Sequence, residues 1–313
     1  MSPSLSDRPG LIVILGVTAS GKTSLAIQLA HTLALPILSA DSRQVYRGMD
    51  IGTAKPSLTQ RSQVPHYLID LVDLDYHFSL ADYQKAAQQL IQSFHAQGIT
   101  PILVGGTGMY IKAILHGMNI PKVAAQPELR QQLQSLGQNY CHQLLTQVDP
   151  SINIHPHDQV RTLRALEVFF VTGSASSTLQ QEQPPDYPIL QIGLITPPNH
   201  RDLISDRVQQ MLAQGWLAEI QTLQQLYGKE HHLLKTLGYG EMAAYLDHQI
   251  TLEQAQEATI IHTLQFAKRQ RTWFRNTSSQ KFRIHWRDRQ VSISDLLDLI
   301  HNRENWQVHT HND

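Results

Sequence analysis

A glycine-bounded loop between an apolar strand and a helix constrains the fold of this chain more than any other feature. Segment 16–23 reads Gly-Val-Thr-Ala-Ser-Gly-Lys-Thr, follows the apolar run 11–15, and precedes a helical pattern that starts at about Thr23. In the pattern G-x-x-x-x-G-K-[ST], backbone N–H groups surround a phosphate, the lysine adds a positive charge, and the hydroxyl binds Mg²⁺. The sequence therefore predicts a diphosphate or triphosphate site with Thr23 as its metal ligand. The residues of this predicted site are Gly16, Val17, Thr18, Ala19, Ser20, Gly21, Lys22 and Thr23.

Strands and helices alternate along the first part of the chain. The apolar runs 11–15, 36–40 and 101–105 are typical of buried strands, and residues 80–97 carry helical periodicity. Such an alternation predicts a parallel sheet with right-handed crossovers. The expected fold class is α/β, with a P-loop NTPase-like parallel sheet core flanked by helices.

The pattern changes after about residue 115. Helices rich in glutamine follow, including one at about 159–172, and a segment rich in Ser, Gln and Pro covers 173–188. The β-branched run 189–195 then predicts a strand that returns to the main sheet. We therefore expect an inserted all-helical domain. Its predicted bounds are 116–188, within a P-loop core made of 1–115 and 189–313.

Composition and charge narrow the classes of protein and of partner. The 313 residues are 41% hydrophobic and 16% charged, which suits a large core, and the single cysteine excludes an internal disulfide. The lone Cys141 indicates a reducing compartment, so we expect a cytoplasmic protein. The run 11–15 is too short for a signal-peptide core or a membrane span, so we expect no membrane partner. A monomer is expected as well. The net charge is −1, but residues 259–290 carry eight basic residues against one acid. This basic cluster indicates a local nucleic-acid surface, and it comprises Lys268, Arg269, Arg271, Arg275, Lys281, Arg283, Arg287 and Arg289, with Asp288 as the acid.

Two aspartates are candidates for the acid beside the phosphate site. Asp41 follows the strand at 36–40, and Asp70 ends the apolar stretch 67–69. Both satisfy the rule that ligands gather at the carboxyl ends of parallel strands. The residues after Asp41, Ser-Arg-Gln-Val-Tyr, combine a base, an amide and an aromatic ring in one short loop suited to a nucleobase edge. This context favours Asp41.

Several segments, taken together, resemble the tRNA dimethylallyltransferase family. They are the loop 16–23, the run Asp-Ser-Arg-Gln-Val-Tyr-Arg-Gly-Met-Asp-Ile-Gly-Thr-Ala-Lys-Pro at 41–56, and segments 65–70, 104–110, 155–167, 237–239 and 267–275. The resemblance spans about residues 10–275, and the ordered set of motifs is highly specific.

The resemblance implies an activity and a role for three residues. The enzyme would transfer a dimethylallyl group from dimethylallyl diphosphate to the exocyclic amine of the adenosine immediately 3′ of the anticodon in tRNA, giving isopentenyladenosine and pyrophosphate. By the same resemblance Asp41 is the general base, Thr23 binds Mg²⁺ or the diphosphate, and Arg207 assists the departure of pyrophosphate. Mg²⁺ is the implied cofactor.

The resemblance also implies contacts with the anticodon stem-loop of tRNA. Arg161 and Arg164 are three residues apart on a predicted helix, so they would share one face and could bind consecutive phosphates. Because the target base is stacked in the anticodon loop, we expect it to flip into the pocket. The implied contact residues are Asp41, Ser42, Arg43, Gln44, Thr107, Arg130, Val160, Arg161, Thr162, Leu163, Arg164, Lys235, Thr236, Leu237, Gly238, Tyr239, Gly240, Lys268 and Arg271.

Other functions use the same loop. A small-molecule kinase would hold ATP at the P-loop and use Asp41 to activate a substrate hydroxyl. An RNA-binding module would use its nucleotide only as a switch, and a related prenyltransferase would act on a free adenine nucleotide. The predicted insertion, with Arg161 and Arg164, favours tRNA as the acceptor, because a free mononucleotide would not need an additional domain to hold it.

Overall fold

A computed structural model describes residues 8–179, 182–278 and 283–308, without the side chains of residues 277 and 278. Lys281 of the basic cluster lies outside these residues. Six strands form one sheet in the order β3-β2-β4-β1-β5-β6. The strands are β1 (Leu11–Gly16), β2 (Ile37–Ala40), β3 (His66–Tyr67), β4 (Ile102–Gly105), β5 (Ile189–Leu194) and β6 (Ile284–Arg287).

Helices make up most of the remaining described chain. They are α1 (Lys22–Leu33), α2 (Leu58–Gln63), α3 (Leu80–Ala96), α4 (Gly108–Leu115), α5 (Pro127–Ser135), α6 (Gln138–Val148), α7 (Gln159–Thr172), α8 (Ser176–Leu179), α9 (His200–Ala213), α10 (Trp216–Tyr227), α11 (Tyr239–Leu246), α12 (Leu252–Ser278) and α13 (Ile293–His301), with short 3₁₀ helices at His232–Lys235 and Arg303–Asn305. Along the described segments, none of these helices is long and apolar enough to cross a membrane.

Each pair of neighbouring strands in the sheet is parallel, so the predicted α/β class is confirmed. Strand β1 lies between β4 and β5, where Ile12 pairs with Ile102 on one side and Leu190 on the other. All six residues of β1 are buried. Continuous apolar runs of this kind form where helices cover both faces of a parallel sheet.

The carboxyl ends of three neighbouring strands position the candidate site. β1 leads into the P-loop, β2 into Asp41, and β4 into Gly106 and Thr107. In the sheet, β4 lies between β1 and β2. Side chains that are distant in the sequence are therefore brought to one edge, as expected for an open α/β sheet.

The chain divides into two compact units. One comprises the described parts of Met1–Ile111 and Asp186–Asp313, and the other is Lys112–Pro185. The second unit contains α5, α6 and α7, which pack around a small apolar core that includes Leu133, Leu145 and Leu166. Asp158 caps the start of α7 by accepting a hydrogen bond from the backbone N–H of Arg161 at 3.1 Å. Gly173, with φ 69°, ends this helix in the left-handed conformation that glycine adopts readily.

A buried carboxylate ties α5 to α7 within this second unit. Glu167 has no exposed side-chain surface, and Arg130 donates to its two oxygens through Nε and Nη2, both at 2.8 Å. The backbone N–H of Gln126 and the guanidinium of Arg164 also donate to it. Burial opposes ionisation, but these donors outweigh it and lower the pKa of Glu167 to about 2. Breaking such a buried pair is strongly destabilising, so Arg130 and Arg164 stabilise this unit.

Candidate active site

The P-loop has the backbone conformation that its sequence predicts. Gly21 has φ 97° and directly precedes α1, which begins at Lys22. This φ value favours glycine, because a side chain there would be strained. The helix N-terminus at this loop provides backbone N–H groups and a partial positive charge for an anion.

Lys22 lies at this loop without a carboxylate partner among the described residues. Its ammonium donates to the carbonyl oxygen of Val17 at 2.5 Å. Burial and the nearby Arg207 guanidinium lower the pKa of Lys22 to about 7, while the Asp41 carboxylate acts in the opposite direction. An anion bound beside Lys22 would stabilise its charged form. The two cations are thus suited to bind a multiply charged anion.

Two hydroxyl groups of the P-loop lack hydrogen-bond partners among the described residues. Ser20 is fully buried, and its Oγ is unsatisfied. Thr23 is half-buried in the first turn of α1, and its hydroxyl also donates to no described residue. Buried polar atoms are nearly always satisfied, so the unpaired Ser20 hydroxyl at a phosphate-type loop is suited to a ligand, and the half-buried Thr23 hydroxyl is accessible to one.

Gln270 fixes the P-loop against the end of β4. Its Oε1 accepts from the backbone N–H of Thr18 at 2.8 Å, and its Nε2 donates to the carbonyl oxygen of Gly106 at 2.9 Å. Arg207 Nη1 lies 3.4 Å from Thr18 Oγ1 as a donor. Sequence reasoning placed Gln270 in a family motif but gave it no role, because nothing local connects it to a loop 252 residues away.

Asp41 occupies a tight turn immediately after β2. Its Oδ1 accepts from the backbone N–H groups of Arg43 at 2.8 Å and Gln44 at 3.4 Å. Thr107 Oγ1 accepts from the backbone N–H of Ser42 at 3.1 Å, which connects this turn to the end of β4. Asp41 Oδ2 makes no hydrogen bond to the described residues and remains available to a substrate.

Asp70, in contrast to Asp41, has an ion-pair partner on each of its carboxylate oxygens. Its Oδ1 pairs with Lys55 at 2.6 Å, and its Oδ2 pairs with Arg61 at 2.7 Å. The side chain of Lys55 is fully buried. Burial opposes these donors, but they lower the pKa of Asp70. Both oxygens are thus committed to the protein, whereas Asp41 has a free oxygen, so the geometry favours Asp41 as the reactive acid.

A cavity of about 260 Å³ brings the candidate residues together within the first unit. Thr18, Asp41 and Arg207 form its reactive part. An apolar part consists of Ile204, Val208, Met211 and Trp216, from α9 and the start of α10. Further lining residues are Ser42, Arg43, Gly52, Thr53, Thr107, Thr236, Leu237, Gly238, Tyr239, Thr259, Thr263, Phe266, Arg269 and Gln270.

Two residues that are predicted to contact tRNA, Gln44 and Tyr239, form hydrogen bonds to other residues of the protein. The Gln44 side chain is buried, accepts from Ser39 Oγ at 2.9 Å, and donates to the carbonyl oxygens of Thr53 and Ala54. Tyr239 is 1% exposed, and its hydroxyl donates to Glu219. Lys235 is exposed and pairs with Glu230, and Gly240 is the second residue of α11.

The second unit requires a correction to the predicted contacts. Thr162 and Leu163 are 0% and 5% exposed. Leu163 packs into the apolar core of this unit, and the Thr162 hydroxyl accepts from Gln138 and donates to the carbonyl oxygen of Asp158. Their side chains therefore face away from any ligand at the surface. Val160 is 79% exposed, and the Arg161 side chain is 73% exposed with only Asp158 beside it at 3.3 Å. Arg130 and Arg164 pair with Glu167 and are 39% and 36% exposed, so Arg161 is the more exposed of the two arginines of this helix and has no buried partner.

Basic residues of α12 lie on both sides of Gln270. Lys268, Arg269 and Arg271 are exposed, and Arg269 lines the reactive cavity. Arg271 lines a separate cavity of about 400 Å³ together with Trp286. The basic surface predicted from the sequence is therefore present on the described part of this helix, next to the P-loop.

Comparisons with a family model and with known proteins identify the same family. A family model described as IPP transferase matches residues 44–277. A tRNA dimethylallyltransferase of Acaryochloris marina is 60% identical over 296 residues, which cover 93% of this chain and 96% of the relative. One from Gloeothece citriformis is 54% identical over 293 residues, covering 93% and 94%.

Solved structures agree with this result. A tRNA isopentenylpyrophosphate transferase of Bacillus halodurans is 37% identical with a TM-score of 0.68, covering 94% of this chain and 95% of that one. A eukaryotic dimethylallyltransferase described as acting on tRNA is 26% identical with a TM-score of 0.81, covering 97% of this chain and 81% of that one. The resemblance found in the sequence motifs is thereby confirmed, and the chain belongs to the IPP transferase family.

Proposed function

We propose that this protein transfers a dimethylallyl group from dimethylallyl diphosphate to the exocyclic amine of the adenosine immediately 3′ of the anticodon in tRNA. The observation that carries the proposal is the cavity of about 260 Å³, where Asp41, Arg207 and the P-loop residue Thr18 adjoin an apolar wall. A diphosphate with a short hydrocarbon chain matches these two surfaces. The names of the close relatives support the same chemistry.

The donor would bind with its diphosphate at the P-loop. Backbone N–H groups at the start of α1, Lys22 and Arg207 would meet the phosphate charge. Ile204, Val208 and Met211 would enclose the five-carbon chain. Burial of apolar carbon in such a wall favours binding and excludes water from the allylic carbon.

Asp41 would act as the general base. In the transfer, the bond between the allylic carbon and the diphosphate oxygen breaks, and a bond forms between that carbon and the exocyclic nitrogen of adenine. The proton leaves the nitrogen for Asp41, and the electron pair of the broken bond leaves with pyrophosphate. Arg207 would stabilise the charge that develops on the leaving group.

The P-loop residues fit Mg²⁺ as the cofactor. Mg²⁺ usually takes one or two protein ligands and completes its shell with substrate phosphates and water. Thr23 offers a hydroxyl with no described partner, and the described residues contain no cluster of three or more His, Cys, Asp or Glu side chains that could hold a metal. When bound, Mg²⁺ would neutralise the phosphate charge. ATP is a second phosphate compound that such a loop could hold.

The acceptor would be tRNA, which the unit Lys112–Pro185 would contact. The enzyme would act as a cytoplasmic monomer. One solved relative is described as acting on tRNA. Ser42, Arg43, Thr107 and residues 236–239 line the cavity and would hold the flipped adenosine. Lys235 and Gly240, on either side of 236–239, would add contacts to tRNA. Lys268 and Arg271 would contact the backbone phosphates.

Four parallel incubations, each with one donor and one acceptor, test the proposed function. Labelled dimethylallyl diphosphate is supplied with unmodified tRNA or with AMP, and labelled ATP is supplied with each acceptor. We expect label and the mass of one five-carbon prenyl group on a single anticodon-loop adenosine. Prenylated AMP would identify a free-nucleotide enzyme, and transfer of phosphate from ATP would identify a kinase. No transfer in any arm would contradict an enzymatic role.

The two arginines of α7 are expected to give opposite results. Arg161→Ala should leave the melting temperature unchanged and reduce the slope of log binding constant against log salt by about one unit, because one phosphate contact is lost. Arg164→Ala should instead destabilise the protein by about 1–3 kcal/mol, because Glu167 remains buried with one donor fewer.

Titration of tRNA at several salt concentrations and thermal melts of both variants provide the measurement. Binding of pyrophosphate at the P-loop is the control and should be the same in both variants. An unchanged salt slope in Arg161→Ala would remove this helix from the tRNA contact surface.

A further inference from the structure

We propose that Glu219 is a positioning residue for prenyl transfer, whose carboxylate holds in place two segments of the cavity wall that are adjacent in space and distant in the sequence. The inference rests on the proposed function. Glu219 lies on α10 and does not itself line the reactive cavity. Sequence reasoning missed it, because an isolated acid on a helix normally indicates a solvated face.

The Glu219 carboxylate accepts four hydrogen bonds. Oε2 accepts from the backbone N–H groups of Asp50 at 3.0 Å and Ile51 at 2.7 Å. Oε1 accepts from the backbone N–H of Gly52 at 3.2 Å and from the Tyr239 hydroxyl at 2.6 Å. Three successive backbone N–H groups form an anion-binding concavity, which the protein here fills with its own carboxylate.

Both groups held by Glu219 belong to the cavity. Gly52 and Tyr239 line it, from segments that are nearly 190 residues apart. They pack on the same buried ring: a Cβ atom at Gly52 would lie 2.2 Å from Trp216 Nε1, and the Trp216 and Tyr239 rings meet edge to face with centroids 5.9 Å apart. The Glu219 carboxylate therefore bonds to both segments at once, and the loop at 50–52 has a further polar contact in the ion pair between Asp50 and Lys55 at 2.5 Å.

A chain of hydrogen bonds extends from this loop to Asp41. The Gln44 amide donates to the carbonyl oxygens of Thr53 and Ala54, which follow Gly52 directly. The backbone N–H of Gln44 donates in turn to Asp41 Oδ1. Displacement of the loop would therefore move both the wall and the reacting carboxylate. A misplacement of about 1 Å can lower a rate about 10²-fold, whereas it has little effect on binding at a distant site.

Glu219 is also accessible from outside the reactive cavity. It lines a second cavity of about 380 Å³ with Arg47, Gly48 and Asp50. A small carboxylate can enter by this route if the Glu219 side chain is removed. Restoration of the rate by an added small carboxylate would distinguish the loss of this contact from a loss of general stability.

The experiment compares Glu219→Ala with wild type, with and without sodium formate, with sodium chloride at equal ionic strength as the salt control. Single-turnover prenylation, pyrophosphate affinity and the melting temperature are measured for each. The matched control is Asp82→Ala, which removes a carboxylate that accepts from the backbone N–H and the hydroxyl of Ser79 at the start of α3 and does not line the cavity. If the alanine variant does not fold, Glu219→Gln is compared with wild type by single-turnover rate and pyrophosphate affinity alone, because its amide occupies the space that formate would enter.

We expect Glu219→Ala to lower the single-turnover rate by about 10- to 100-fold. Pyrophosphate affinity should stay within about twofold of wild type, and formate should restore part of the rate with saturation. Asp82→Ala should be insensitive to formate. Tyr239→Phe, which loses one hydrogen bond of the four, should show a smaller loss, of about 2- to 10-fold.

Two results would overturn the inference. One is a Glu219→Ala rate within about twofold of wild type, and the other is a loss that formate does not restore and that accompanies an equal loss of pyrophosphate affinity. Failure of the proposed function is distinguishable, because wild type itself would then transfer no prenyl group to tRNA.

Discussion

Replacing Asp41 with asparagine should lower single-turnover prenylation by about 10²- to 10⁴-fold and leave the binding of both substrates nearly unchanged. Asparagine retains the side-chain oxygen that accepts from the backbone N–H groups of Arg43 and Gln44, so the turn after β2 should persist. What is lost is the basic oxygen that would take the proton from the adenine amine. The rate is measured by rapid quench with enzyme in excess, and pyrophosphate and tRNA affinities by calorimetry.

Asp70→Asn is the matched comparison. Asp70 is bound to Lys55 and Arg61, and the Lys55 side chain has no exposed surface. This variant should therefore lose stability, because a buried ammonium loses a carboxylate partner, but keep its rate while folded. Full activity in Asp41→Asn would contradict its assignment as the base, and an equal loss in Asp70→Asn would move that role to Asp70.

Replacing Arg207 with glutamine should lower kcat by about 10²- to 10³-fold. Arg207 borders the cavity, donates to Thr18 Oγ1 and lies close to Lys22. Its positive charge would stabilise pyrophosphate more strongly as the bond to the allylic carbon breaks than in the bound donor. The fall should therefore appear mainly in kcat, with a smaller rise in the KM for dimethylallyl diphosphate.

Arg201→Gln is the control for this variant. Arg201 lies on the same helix, α9, but it is exposed and pairs with Glu257 at the surface. Such exposed pairs contribute little, so kcat and the melting temperature should be close to wild type. If Arg207→Gln raised only KM and left kcat intact, Arg207 would be a ground-state binding residue with no role in the departure of pyrophosphate.

Features determined by short segments could be predicted from the sequence. The P-loop is one example, because its glycines, Lys22 and Thr23 are consecutive and the preceding apolar run permits only a buried strand. The parallel sheet is another, because buried apolar runs alternate with amphipathic helices. The position of Asp41 directly after β2 followed from the same local logic, and the ordered motifs identified the family.

The partners of charged and polar side chains were decided only by the tertiary structure. Arg130, Arg161 and Arg164 have the same charge in the sequence, yet two of them pair with buried Glu167, whereas Arg161 pairs with Asp158 and is mostly exposed. The sequence also gave no sign that Gln270 would hold the P-loop, or that Glu219 would hold the loop at 50–52. Residue type sets how strongly a group must be satisfied when it is buried, but the packing of distant segments decides which groups are buried and which atoms lie within hydrogen-bond distance.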